Sequence, residues 1–370
     1  MFRSLSSVVS VLNPGLAQAR ESLDRLRDDV RALNRSVKRI DEHAEERDEA
    51  MQKSIDALAA QLTSTTRELR TVNDTLATLK LRESQLRAVL RRDAELEDET
   101  AALPALLNKQ GVQEHIAAAI EAAELRLDPF PHMVIENLLP DDLYDAVIRG
   151  LPPVELFGDK PVNKQQLKVP FEFAPGYARR VWRFVADVVA PEYITPSLVE
   201  KFDAPLLDWV RQNWPELGDD PFGGKIRLHS TDGRIMLRTR GYKIPPHRDP
   251  KWGFLTCLVY LVREGDSETW GTQLYSVASD REARGAAPHW IDPATCTLAG
   301  EVGFKRNRAL VFLNSVGAHG AFIPADAEPA DLERYLYQFR IGPTGAAISK
   351  MMSALPEERR PLWAGKTADY

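Results

Sequence analysis

The stretch HRDPKWGFLTCLVYL, residues 247–261, places a histidine and an aspartate two positions apart, just before an apolar run typical of a strand. On an extended chain, residues i and i+2 point to the same side, so His247 and Asp249 can both direct a ligand atom at one cation. His319, in ALVFLNSVGAHGAF (309–322), follows another apolar run and is the candidate third ligand. Two histidines and one carboxylate would leave open positions on an Fe(II) ion. The alternative is an ordinary polar turn leading into a strand.

The rest of the second half of the chain is rich in turn signals and short apolar runs. Strands are expected at 133–139, 253–262, 271–277, 309–314 and 334–341. The segments GKIRLHS and RIMLRTR flank Thr231-Asp232-Gly233, which predicts a hairpin. Helices are expected over PDDLYDAVIRGL (140–151) and most of 177–214. Many short strands with flanking helices indicate a jelly-roll or a barrel, so the expected fold class is α+β.

The first hundred residues have a different composition. Between residues 16 and 103 there is no glycine or proline, the two residues that most often interrupt helices. Apolar residues recur there three and four positions apart, which is the a/d pattern of a coiled coil. The first series is Leu23, Leu26, Val30, Leu33, Val37, Ile40 and Ala44; the second, shifted by a stutter near Met51, is Ile55, Leu58, Leu62, Thr65, Leu69, Val72, Leu76, Leu79, Leu86 and Leu90.

These patterns predict three regions. Residues 1–103 form a coiled coil for oligomerisation or spacing, residues 104–125 a linker helix, and residues 126–370 the β-rich domain. A helix with so narrow an apolar stripe needs a partner to bury it, so we expect a homo-oligomer, either a dimer or a trimer. The alternative to a functional spacer is a solvated helical tether with no role beyond oligomerisation.

Composition limits the partners and the compartment. A net charge of −6 and a pI near 5.8 give no general attraction to nucleic acid. Cys257 and Cys296 are too few for a disulfide scaffold, which favours a cytoplasmic protein. The start of the chain, MFRSLSSVVSVLNPG, is too weakly apolar for a signal peptide or a membrane span. Its apolar residues have helical spacing, so the alternative is a helix peripheral to the inner membrane: Phe2, Leu5, Val8, Val9 and Leu12.

Several further motifs occur in a fixed order around the histidines. Tyr260 lies in LTCLVYL, WGTQLY follows at 270–275, then comes His319, and Arg334 begins RYLYQFRI. In this order the chain resembles the Fe(II)/2-oxoglutarate-dependent dioxygenases, particularly their prolyl-hydroxylase-like branch. The resemblance covers about residues 226–342. It implies a double-stranded β-helix (jelly-roll) that binds Fe(II) through His247, Asp249 and His319 and uses 2-oxoglutarate and O2 as cosubstrates.

The resemblance also implies how 2-oxoglutarate is held. Arg334 would pair with its distal carboxylate, for which a planar guanidinium is well shaped, and Tyr260 would donate a hydrogen bond to the same group. The chain departs from the pattern in GTQL, which replaces a paired glycine, and in PADAEPADLE, which lengthens the gap before Arg334. Arg340 is therefore a rival anchor. Alternation puts positions 334 and 340 on one face of a strand, with Tyr335, Tyr337 and Phe339 on the other.

The substrate is harder to predict. Arg238, Lys243 and Arg248 place cations around the proposed site, which would suit a phosphorylated or carboxylated substrate; the alternative is an edge strand protected from pairing. Trp252, Trp270 and Trp290 are candidates for stacking on sugar rings or for packing.

Residues 129–146 loosely resemble oxygenases linked with bacterial polysaccharide assembly. That resemblance makes hydroxylation of a C–H bond in a glycan or glycolipid the leading hypothesis. The alternatives are a protein side-chain hydroxylase of the prolyl type and a non-catalytic coiled-coil scaffold with a jelly-roll binding domain. The remaining histidines near these motifs, His115, His229 and His289, are expected to be structural or incidental.

Overall fold

The computed structural model describes residues 14–107, 110–158, 160–169, 173–218, 221, 226–278 and 290–364. It contains two compact units, Met1–Lys80 and Leu81–Tyr370. The predicted interfacial helix at the N-terminus and His289 lie outside the described residues. None of the described helices combines the length and the apolar character that crossing a bilayer requires.

A single helix, α1, runs from Pro14 to Glu95 over 82 residues, which confirms the helix expected from the absence of breakers. The apolar residues of the expected seam are between 48% and 69% exposed, from Leu23 to Leu90. Spaced charges on other faces form pairs one turn apart, such as Arg25 with Glu21. Such pairs add only a few tenths of a kcal/mol each, about 0.3–0.5 kcal/mol. The coiled coil itself, which needs a second helix, stays a prediction.

The second unit begins with the end of α1 and alternates short helices with strands. Its helices are α2 (Glu97–Leu107), α3 (Val112–Ala122), α4 (Asp141–Arg149), α5 (Gly176–Phe184), α6 (Thr195–Lys201), α7 (Asp203–Asn213), α8 (Gly345–Ala354) and α9 (Arg360–Trp363). Its strands are β1 (Leu125–Arg126), β2 (His132–Ile135), β3 (Gln166–Lys168), β4 (Leu228–Thr239), β5 (Lys243–His247), β6 (Leu255–Leu261), β7 (Thr272–Val277), β8 (Cys296–Val302), β9 (Ala309–Leu313), β10 (Ala318–Phe322) and β11 (Glu333–Pro343). A π-helical segment, Val185–Ile194, joins α5 to α6.

The helix expected over 104–125 is divided. α2 ends at Leu107 and α3 begins at Val112, after Gly111 with a φ of 88°. A positive φ is readily adopted by glycine and interrupts helical geometry, so the chain turns there. The domain boundaries expected at 103 and 125 stay predictions.

The strands form two antiparallel sheets. A seven-stranded sheet has the order β1-β2-β9-β6-β11-β4-β3, and a four-stranded sheet has the order β5-β10-β7-β8. One face of the larger sheet packs against the helices, with Tyr335, Tyr337 and Phe339 in that core. The other face contributes Tyr260 and Leu336 to a smaller core, shared with β7 of the second sheet. The alternation expected along β11 is thus confirmed, and even-numbered positions from 334 to 340 point between the sheets.

The hairpin expected at Thr231-Asp232-Gly233 is wrong. β4 runs through these residues and pairs with β11 along its length, with a register shift opposite Gln338 and Arg340. One extra residue on β4 is accommodated as a bulge, so a local turn signal is overridden by long-range pairing. A Cβ added at Gly233 would lie 2.9 Å from the Tyr337 hydroxyl, which accounts for glycine at this position.

Candidate metal centre

Three side chains predicted from sequence converge between the two sheets. His247 ends β5, Asp249 follows two residues later, and His319 lies on β10 directly opposite His247 in the antiparallel register. The two imidazole centroids are 4.2 Å apart. One ligand atom from each of the three residues lies within 4.8 Å of the others, and all three side chains are buried. Asp249 and His319 are 70 positions apart in the sequence, and the pairing of β5 with β10 brings them together.

Neighbouring groups orient these ligands. Nδ1 of His247 lies 3.0 Å from the Pro245 carbonyl oxygen, which leaves Nε2 for a metal. The Asp249 carboxylate accepts hydrogen bonds from the Thr256 hydroxyl at 2.6 Å and from the Gln338 amide at 3.3 Å. Both donors lie on strands of the larger sheet, so the carboxylate is fixed to one sheet and the histidines to the other.

Asn314 holds the loop that carries Asp249, and sequence reasoning missed it. Its side-chain oxygen accepts from the Asp249 amide at 2.8 Å, and its Nδ2 donates to the Asp249 carbonyl at 2.8 Å. The same Nδ2 lies 3.2 Å and 3.0 Å from the carbonyls of Pro250 and Gly253. The only available signal was an asparagine directly after the β9 run, five residues before His319. Such a clamp sets the position of the aspartate relative to both histidines.

Electrostatics favours the protonation states that a metal requires. Burial by itself would raise the pKa of Asp249, but the adjacent Arg340 and the two imidazoles outweigh burial and hold that pKa well below its usual range. Burial, and then the neighbouring His247, lowers the pKa of His319 well below its usual value. The pocket therefore contains an ionised carboxylate and a neutral imidazole, the forms in which these groups bind metal ions.

The donor set fits a particular class of metal ion. Two imidazole nitrogens and one carboxylate oxygen are the ligands of the facial triad that binds Fe(II) while leaving positions open. Within the described ranges, the cluster consists of these three ligands. The Fe(II) site expected from sequence is therefore supported by the position, burial and orientation of its ligands.

The two candidate anchor arginines occupy different surroundings. Arg340 contacts Asp249 at 3.1 Å, so it belongs to the metal centre. Arg334 lies at the other end of β11, where it donates to the Ser267 hydroxyl at 2.7 Å, contacts Asp266 at 3.5 Å and stacks over Phe304. Both side chains are almost fully buried.

Tyr260 lies in the layer between the sheets, as expected of an anchor residue. Its hydroxyl is 3.4 Å from the Val302 carbonyl. Burial raises its pKa to about 12. It therefore stays a neutral phenol, able to donate a hydrogen bond, over the whole physiological pH range.

The three cations expected at a substrate rim are not grouped there. Lys243 is exposed on β5, the edge of the smaller sheet. Arg248 is buried and donates to the Gly317 carbonyl at 2.7 Å, which fixes the turn before β10. Arg238 is buried on β4, paired in register with Arg334.

The tryptophans and remaining histidines separate into exposed and packed groups. Trp290 is 54% exposed, and its ring lies 5.7 Å from that of His247. Trp252 packs against Trp214 and Trp363, and Trp270 packs near Tyr242.

Among the other histidines, His229 contacts the Gly342 carbonyl and His115 the Asn137 carbonyl, which fits structural roles. Of the three tryptophans, Trp290 alone stands beside the metal centre.

Comparisons with known proteins give structural matches only. No family model and no curated protein matches the chain. Solved structures that match include HygX from Streptomyces hygroscopicus with nickel and 2-oxoglutarate bound, at 16% identity over 58% of this chain and 83% of that one, with a TM-score of 0.34. A prolyl-4-hydroxylase from Pseudomonas putida matches at 14% identity over 62% of this chain and 100% of that one, with a TM-score of 0.31.

A third match is SnoN, a non-heme α-ketoglutarate-dependent epimerase from nogalamycin biosynthesis, at 13% identity over 65% of this chain and 81% of that one, with a TM-score of 0.35. At identities and TM-scores this low, the matches establish no function for the present chain.

Proposed function

We propose that this chain is an Fe(II)- and 2-oxoglutarate-dependent oxygenase built on a double-stranded β-helix. The observation that carries the proposal is the convergence of His247, Asp249 and His319, all buried, between two antiparallel sheets. In the stretch Leu228–Pro343, the first and last strands, β4 and β11, lie side by side in the larger sheet, and β5 and β10 lie side by side in the smaller one. In a jelly-roll, the outermost strands likewise pair with each other, and the next strands inward in the sequence pair in the same way.

Each residue near the centre then has a defined task. The three ligands would hold Fe(II) with positions free for the 2-oxo acid and O2, and Arg340 and Thr256 keep the carboxylate ionised and fixed. When bound, iron with 2-oxoglutarate and O2 supplies the oxidation of a substrate C–H bond, with succinate and carbon dioxide as coproducts. The buried surroundings exclude bulk water from the reacting groups.

Arg334 is the better of the two predicted cosubstrate anchors. Arg340 already pairs with a metal ligand, so it cannot also reach a carboxylate at the far end of a chelating 2-oxo acid. Arg334 lies six residues before Arg340 on β11, on the same face and in the layer that contains Tyr260. A 2-oxo acid that chelates iron through one end would extend along this layer toward Arg334 and Tyr260.

A glycan or glycolipid is the proposed substrate. Trp290 supports it, because an exposed indole beside a metal ligand offers a flat apolar face on which a sugar ring can stack. Lys243, exposed on the neighbouring edge strand, could contact an anionic group of the substrate. Incubation with host extract under labelled oxygen tests this proposal: label in a glycan fraction is expected, whereas label in protein side chains would favour a prolyl-type hydroxylase.

The exposed seam of α1 supports association of the chain with further copies. Apolar residues spaced by three and four positions remain at least half exposed over most of the helix. Burial of such a stripe against identical helices would remove it from water, which is the driving force of coiled coils. The chain is therefore proposed to act as a dimer or trimer whose helices space or tether the oxygenase units.

The test of the proposed chemistry is spectroscopic. Anaerobic protein given Fe(II) and 2-oxoglutarate should develop the weak visible charge-transfer band of a chelated complex. His319→Ala should abolish the band and succinate formation, while His115→Ala, which alters an exposed histidine, should change neither. Absence of the band in folded wild-type protein would favour a non-catalytic scaffold.

A further inference from the structure

Arg238 is a buried cation that has no carboxylate partner among the residues that the structure describes. Its side chain is 5% exposed, and its Nε is among the buried polar atoms that lack a hydrogen-bond partner. Within the described part of the chain it forms no hydrogen bond or ion pair, and its guanidinium stacks over the Tyr242 ring, 5.1 Å from the ring centroid. Burying an unpaired charge is costly, so such a residue points to an anion that joins it.

Two features place this cation at the proposed cosubstrate pocket. Arg238 pairs in register with Arg334 across β4 and β11, and its neighbour Met236 on the same face packs in the layer between the sheets. Burial raises the pKa of Tyr260, and the positive charge of Arg238 acts against this rise. Arg238 therefore lies within electrostatic reach of the proposed anchor tyrosine.

The charges around the two arginines do not balance. Asp266 contacts Arg334 at 3.5 Å, and within the described ranges no carboxylate contacts Arg238. Asp266 is also shared with Arg263, which takes Glu333 as a second partner. The pair of buried arginines thus carries one positive charge in excess, which a single carboxylate would neutralise.

We infer that Arg238 and Arg334 together bind the distal carboxylate of a dicarboxylic 2-oxo acid, and that Arg238 supplies the uncompensated charge. The inference rests on the proposed function and moves Arg238 from the substrate rim to the cosubstrate pocket. It acts as a positioning residue, because it holds the end of the acid remote from the metal. Two guanidinium groups on one carboxylate would select strongly for an acid with charge at both ends.

The experiment compares two five-carbon acids, 2-oxoglutarate and 2-oxopentanoate, which lacks the distal carboxylate. Their dissociation constants are measured on full-length Fe(II)-loaded protein without oxygen, from the charge-transfer band. Arg238→Leu should weaken the binding of 2-oxoglutarate roughly 30-fold or more, which is the usual effect of truncating one partner of a buried charge pair. The binding of 2-oxopentanoate should be unchanged. Arg238→Lys should recover part of the affinity, and Arg240→Leu, which removes a surface cation two residues away, should have no effect.

Thermal unfolding of the ligand-free protein gives a second readout. Arg238→Leu removes a buried charge that has no carboxylate partner among the described residues. The midpoint temperature of unfolding of this variant should therefore equal or exceed that of wild type. An Arg238→Leu variant that is less stable and binds both acids like wild type would show that the residue is structural and overturn the inference. If Arg238→Leu weakens the binding of both acids equally, Arg238 does not bind the distal carboxylate and the inference also fails. If wild-type protein develops no band with either acid, the proposed function itself fails, and this inference fails with it.

Discussion

The guanidinium of Arg340 donates to the carboxylate of Asp249 at 3.1 Å, and both side chains are 2% exposed. A metal ligand therefore has a permanent counter-ion on the neighbouring sheet. This pairing keeps the carboxylate ionised before any metal arrives, since burial without the guanidinium would favour the neutral acid.

Removal of that counter-ion should destabilise the metal-free protein. Arg340→Leu leaves a buried carboxylate unpaired, and we expect a loss of roughly 3–5 kcal/mol in the free energy of unfolding. Urea denaturation in the presence of a chelator measures it. The same change in an Asp249→Asn background should cost much less, because no charge is then left unpaired. Equal losses in both backgrounds would show that the ion pair is not the source of stability.

Asn314 should matter for metal binding and not only for folding. Asn314→Ala removes the side chain that fixes the Asp249 loop, and changes of this kind weaken metal affinity by about 10- to 100-fold. Titration with Co(II) as a spectroscopic probe measures the affinity. Asn307→Ala is the matched control, because Asn307 is also buried and clamps backbone groups of Leu139, far along the chain from the ligands. If both variants bind Co(II) like wild type, Asn314 is only structural.

Trp290 should contribute to the binding of the substrate and not to the binding of 2-oxoglutarate. Trp290→Ala should abolish the stimulation of succinate formation by a host glycan fraction, while any succinate formation in the absence of substrate should be unchanged. Trp290→Phe, which retains a flat ring, should retain part of the stimulation. Trp252→Phe serves as the control, because Trp252 packs in the tryptophan cluster. Unchanged stimulation in Trp290→Ala would remove the stacking role.

Stability should fall steeply above pH 10. Burial raises the pKa of Tyr144 and of Tyr260 to about 12, whereas tyrosines in the unfolded chain titrate near their usual value of about 10. Because the pKa is higher in the folded state, the contribution of these neutral tyrosines to the free energy of unfolding is fully present below pH 10 and is lost between about pH 10 and 12.

Each of these tyrosines should contribute roughly 2–3 kcal/mol to that loss. Phenolate absorbance at 295 nm should therefore rise together with the loss of circular dichroism. Ionisation of these tyrosines near pH 10 in protein that is still folded would contradict the assignment.

The seam of α1 can be tested in the full-length chain. Leu58→Asp with Leu62→Asp places two charges in the seam, and we expect the molar mass from light scattering to fall to that of one chain. The control is Thr63→Asp with Thr66→Asp, which adds the same charges off the seam and should leave the mass unchanged. A monomeric wild-type protein would refute the proposed oligomer.

Some parts of this structure could be predicted because their signals are local. The absence of glycine and proline predicts α1, and the spacing of His247 and Asp249 before an apolar run predicts two ligands on one side of the chain. Alternation along β11 likewise separates the buried aromatic residues from the arginines.

Other parts depend on pairing between distant strands. Whether Arg238 faces Arg334, and whether Arg340 meets Asp249, is decided by the register of β4, β11 and β6, which composition does not encode. The Thr231-Asp232-Gly233 signal failed for the same reason, because pairing with β11 extends through it. Asn314 acts on a loop 65 residues away and has no motif of its own.

Anomalous diffraction at the iron edge, from crystals grown with Fe(II) under anaerobic conditions, tests the central claim most directly. One strong peak is expected among Nε2 of His247, the Asp249 carboxylate and the His319 imidazole, at about 2.0–2.2 Å from each. Well-diffracting crystals with no peak there, or with iron held by other residues, would contradict the assignment of this chain as an iron-dependent oxygenase.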